Sequence, residues 1–154
     1  MGTFGAGPFS NDSALDLLDE LPDHPTSQRR KVLMRIFFRN QDRPELLGWT
    51  LFRDEIVAAA AVVAASPPGG VDIPCDLADQ ATTSTRCSSP APHPELNASA
   101  LKALLVAAGQ DGPWHDGWAD SVTAAPARQT TDRLAVISCA RSTHRIRNCR
   151  CNVK

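Results

Sequence analysis

The sequence predicts an all-α fold, a small irregular bundle of about five helices followed by a disordered basic C-terminal tail. Two observations carry that prediction. The apolar share is supplied by Ala, Leu and Val, with no Tyr, five Phe and three Trp, a mixture that favours helices over sheets. Apolar residues also recur three and four apart, and Pro and Gly clusters punctuate the runs. At 154 residues the chain has room for one ordinary domain able to bury a core without disulfides or a metal. We assign residues 1–137 to that domain and 138–154 to the tail.

The elements follow in order. Gly2, Gly5, Gly7 and Pro8 form a turn-rich lead-in, after which Ser10 or Asn11 can cap a first helix carrying Asp12 in its first turn. Ala14, Leu17, Leu18 and Leu21 recur at helical spacing until Pro22 and Pro25 stop the run. A second helix starts near Ser27, with Val32, Ile36 and Phe37 as its apolar stripe. Arg29, Arg30, Lys31, Arg35 and Arg39 form its solvated face. Pro44 suits the start of a third helix reaching to Ser66, whose many alanines allow close helix approach and a central place. Pro67, Pro68, Gly69 and Gly70 end it.

Between Val71 and Pro94 the signals are mixed, with a short helix around Asp76 to Ala81 and then a flexible Ser/Thr/Pro-rich loop at about 82–94. A fourth helix runs from about Pro94 to Ala108, placing Leu96, Ala100, Leu101, Leu104 and Leu105 inward. Trp114 and Trp118 stand four apart and share a face if Pro113 opens a helix. The last helix spans about Ala127 to Ile137.

Charge divides the chain. Met1 to Asp132 holds 10 Lys/Arg against 17 Asp/Glu, and Arg133 to Lys154 holds six against none, so an acidic body precedes a basic tail. The N-terminus lacks the cationic start and apolar core of a signal peptide, and the most apolar run, Ile56 to Ala65, is half of the roughly 20 residues a membrane span needs. A cytoplasmic location with no membrane partner is therefore expected, and with it five free thiols.

The opening G-T-F-G-A-G-P-F-S-N-D-S-A-L-D, Gly2 to Asp16, resembles the N-terminal signature of the family named domain of unknown function 4259. The stretch R-D-E-I-V-A-A-A-A-V-V-A-A-S, Arg53 to Ser66, resembles that family's central helix, and W-H-D-G-W-A-D, Trp114 to Asp120, its Trp-containing segment. The resemblance covers Met1 to about Ile137 and implies a small helical bacterial protein with no established activity. Phe4 stands where the pattern leads one to expect Trp, and Ala61 where it leads one to expect an acidic residue.

No constellation forms a familiar catalytic site. The Gly2, Gly5, Gly7 turn has no strand before it and acids after it, against the context of a phosphate loop. Asn11, Asp12 and Asp16 are the candidate residues of a small hydrolase site, competing with a capped, solvated helix end. In the tail, Cys139, His144, Cys149 and Cys151 offer four zinc ligands, with nearby arginines for a nucleic-acid backbone but no aromatic residue to stack on bases. No cofactor is expected. The leading expectation is a non-enzymatic domain that binds another protein, with Trp114 and Trp118 as its contact patch; a zinc-assisted nucleic-acid role and the hydrolase are the alternatives.

Overall fold

The computed structural model describes residues 5–42, 53–65, 93–108 and 121–142. Those residues form five helices and no strand, an all-α bundle. They are α1 (Asp12–Asp23), α2 (Thr26–Asp42), α3 (Arg53–Ala64), α4 (Pro94–Ala108) and α5 (Ser121–Arg141). No helix among the described residues is long and apolar enough to cross a membrane.

Helix α3 is the axis of the bundle. Every residue from Ile56 to Ala65 is buried, on all sides of the helix. A helix apolar all round can lie only inside a protein, and α3 touches each of the other four helices. Its five alanines, 58 to 61 and 64, keep the neighbouring axes close, while Ile56, Val57, Val62 and Val63 fill the gaps. Burying each of those four contributes roughly 1.5–3 kcal/mol.

The outer helices offer one apolar stripe each. From α1 come Ala14, Leu17, Leu18 and Leu21; from α2, Leu33 and Phe37; from α4, Leu96, Ala100, Ala103, Leu104 and Ala107; from α5, Ala127 and Leu134. Phe9, 1% exposed, reaches the same core from the lead-in. Polar bonds then set the register. Arg30 Nη2 bonds Glu95 Oε2 at 3.0 Å, Gln41 Nε2 donates to Ser99 O at 3.3 Å, and Asn40 Nδ2 donates to Ala103 O at 3.0 Å. Position numbers rise together on the two helices, so α2 and α4 run the same way. The end of α5 is fastened to the end of α3 where Arg141 Nη1 donates to Ala64 O at 2.8 Å, supplying one of the donors that the last carbonyls of a helix lack.

Several expectations are corrected. Leu105 is 57% exposed, not inward: the buried residues from Leu96 to Ala107 already fill the arc of α4 facing its three neighbours, and position 105 falls outside it. The last helix begins six residues before Ala127 and ends four after Ile137, although Pro126 forfeits one backbone bond inside it. Packing decides this, because Ser138 is fully buried and Arg141 is tied to α3. Residues 138–141 therefore belong to the helical body and not to the tail. Pro22 does not end α1 either, since the helix includes it and closes one residue later. On α2, Arg29 and Arg30 are engaged in bonds, unlike a simply solvated face. The expected start of α3 near Pro44, its end at Ser66, the short helix at 76–81 and the loop up to Pro92 lie outside the described residues.

The alanines of α3 are a volume constraint. Ala60→Leu should lower stability by about 1–3 kcal/mol through overpacking, whereas Leu105→Ala, on the exposed side of α4, should change it by less than about 0.5 kcal/mol. Urea denaturation of the two variants measures both. Equal losses would mean that α3 is not the packed axis.

Candidate functional site

The lead-in and the start of α1 were the first candidate. Gly7 O accepts from Ser10 N at 3.2 Å, turning the chain so that Asn11 arrives in extended conformation, φ −158° and ψ 160°. Its Oδ1 then accepts the Ala14 amide at 2.8 Å, an N-cap bond of the usual kind. Thr130 Oγ1 donates to Ala6 O at 3.3 Å and so ties the turn to α5. Ser10 and Asn11 are buried, whereas Asp12 and Asp16 are exposed. The structure thus separates the three: Asn11 is spent on the helix end, and the two carboxylates face solvent one turn apart.

The half-buried carboxylates lie elsewhere, at the start of α3. Burial raises Asp54 above the usual carboxylate range, with Arg53 opposing. Burial likewise raises Glu55, opposed by Arg39 of α2 and reinforced by Glu20 of α1. Glu20 Oε1 also lies 3.2 Å from His24 Nε2. The position favours an anion through the helix dipole, but desolvation outweighs it. Among the described residues no group of three or more His, Cys, Asp or Glu could hold a metal ion.

The remaining sequence candidates divide in two. Cys139 is half-buried in the last turn of α5, outside any disulfide, and its carbonyl accepts from the Ser142 hydroxyl at 2.9 Å. Trp114 and Trp118, and His144, Cys149 and Cys151, lie outside the described residues.

The outer face of α2 was expected as a solvated basic face, and the structure adds Phe38 to it. Gln28, Lys31, Arg35, Phe38, Arg39 and Asp42 are all exposed, spaced three and four apart along one side. Phe38 is 47% exposed. Adjacent aromatics on a helix point about 100° apart, so of Phe37 and Phe38 only one can enter the core. That pair was the available signal. Lys31, Arg35 and Arg39 form no ion pair with any described residue, in contrast to Arg30.

The family described as Domain of unknown function (DUF4259) matches residues 2–130, which takes in four of the five helices and the first half of α5. The chain belongs to the DUF4259 family. No curated protein and no solved structure matches it. The DUF4259 match ends within α5, so the turns of that helix carrying Leu134, Ser138 and Arg141 lie beyond it while completing the same core.

Two outcomes are expected at these sites. Asn11→Ala should cost about 1 kcal/mol through the lost cap, while Asp16→Asn leaves the melting curve in place; thermal unfolding decides it, and an unmoved Asn11→Ala would dissolve the cap assignment. The raised carboxyls of Asp54 and Glu55 bind protons more readily folded than unfolded. Their contribution to stability is therefore full at acid pH and is lost as pH rises through the folded values. An Asp54→Asn/Glu55→Gln variant should gain on the wild type in moving from pH 4 to pH 7, by urea midpoints at both. A difference independent of pH would contradict the burial.

Proposed function

We propose that this domain acts by binding another protein, through the outer face of α2. The observation that carries the reading is Phe38, about half exposed between the cations Lys31, Arg35 and Arg39 on one helical face. Aromatic and arginine side chains supply much of the binding energy of protein interfaces, because both bury a large, stiff area and still make directed contacts. Isolated exposed apolar residues are ordinary, but one set in a basic stripe suits a partner with acidic and apolar groups together.

A nucleic acid is less well served. Three cations over about 12 Å of helix neutralise few phosphates, and the residues from Met1 to Asp132 carry seven more acids than bases, 17 against 10, which repels a polyanion. The reading is of an accessory, non-enzymatic domain in the cytoplasm of a bacterial cell, where the five cysteines stay reduced.

The test is a photo-crosslinking residue at position 38, activated in the native cell. One discrete adduct is expected, reduced at least severalfold by Arg35→Glu with Arg39→Glu, and absent when the crosslinker stands at Gln129 on the outside of α5. A diffuse smear, or an adduct indifferent to the two charge reversals, would defeat the proposal.

A further inference from the structure

We propose that the partner seated on the outer face of α2 is a second copy of this chain, which presents the acidic face of α1; the inference rests on the reading of α2 as a protein-binding face. Helix α1 has no Lys or Arg, and Asp12, Asp16, Asp19, Glu20 and Asp23 are all exposed on it. Asp16, Asp19 and Asp23 follow one another at helical spacing, on the side away from Leu17, Leu18 and Leu21. They make no ion pair with any described residue, just as Lys31, Arg35 and Arg39 make none.

The two stripes match in number and length. Seven residues separate Asp16 from Asp23, about 10 Å of helix, and eight separate Lys31 from Arg39, about 12 Å. Within one chain the neighbouring charges are engaged elsewhere: Arg29 of α2 bonds backwards to the carbonyls of Pro22 and His24, Glu20 takes His24, and Arg39 acts on Glu55 of α3. Between two chains the complement closes on itself. In a two-fold dimer each α1 lies on its partner's α2, the same patch is used twice, and the acidic and basic stripes are satisfied in both copies. Phe38 borders the basic stripe and becomes covered in that arrangement.

The interface is small. Two helix faces cover less than the roughly 800 Å² per partner of a standard stable complex, and exposed ion pairs are individually weak and screened by salt. The dimer is therefore expected to be weak and salt-sensitive, which fixes how it must be sought.

The experiment is sedimentation of the full chain under reducing conditions, from about 10 µM to 1 mM, in 50 mM and 500 mM NaCl. The wild type should dimerise in low salt and weaken at least tenfold in high salt. Lys31→Glu/Arg35→Glu and Asp16→Arg/Asp19→Arg should each be monomeric with unchanged far-ultraviolet circular dichroism, since all four positions are exposed. An equimolar mixture of the two variants should recover a dimer containing one of each. A monomeric wild type at 1 mM in low salt, or a dimer that survives either reversal, overturns the inference. The crosslinking at position 38 separates the two failures: an adduct with a different protein keeps α2 as a binding face and removes the second copy, whereas no discrete adduct removes both.

Discussion

The whole arrangement depends on one helix having no exposed side. Because α3 is apolar all round and built largely of alanine, it can be surrounded, and because its side chains are small, four helices can approach it closely. Each outer helix then needs only a single apolar stripe, and its remaining surface is free for charge. That division of labour explains why a chain with 17 acids and 16 bases buries so few of them. It also explains Asp54 and Glu55: they open α3 before its apolar stretch begins, so the burial that α3 needs carries them halfway into the interior.

Polar groups inside the bundle serve alignment more than strength. Asn40 is fully buried, and one donor reaches Ala103 O while its own Oδ1 finds no partner among the described residues. Asn97 likewise bonds backwards to His93 O at 3.0 Å and leaves its Oδ1 without one. A half-satisfied buried amide costs about 1–3 kcal/mol relative to a full complement of bonds. What it secures is register: a slip of α2 along α4 would forfeit the Asn40, Gln41 and Arg30 contacts together. Alanine and leucine ridges alone tolerate several registers, so the directional bonds select one.

Much of this was legible in the residues. Periodicity located α1, α2 and α4 closely, and the alanine run announced a central helix, because those signals are local and the packing reinforces them. Asn11 was readable as a cap for the same reason. What was not legible depended on distant partners. Pro126 stands just before the expected start at Ala127, yet α5 begins at Ser121 and packs along its length against α4 and α3. Ser138 and Arg141 read as tail because charge changes there, yet α3 supplies the carbonyl that keeps them helical. Leu105 looked inward from its helical spacing, while the side it occupies has no described helix against it.

The candidate site shows the same limit in sharper form. Asn11, Asp12 and Asp16 stand together in sequence, and the fold sends them to different tasks, one to a helix end and two to solvent. Conversely, the acids of α1 and the bases of α2 looked like two ordinary solvated faces when taken separately. Their significance comes from geometry that no single helix holds: Asp16, Asp19 and Asp23 on one helix and Lys31, Arg35 and Arg39 on the next are all exposed, and Arg29 bonds back to Pro22 and His24 across the joint between the helices. A core that leaves two complementary faces outward on consecutive helices leaves both open to a second molecule. The low-cost way to pair them is between molecules, where the fold need not change at all.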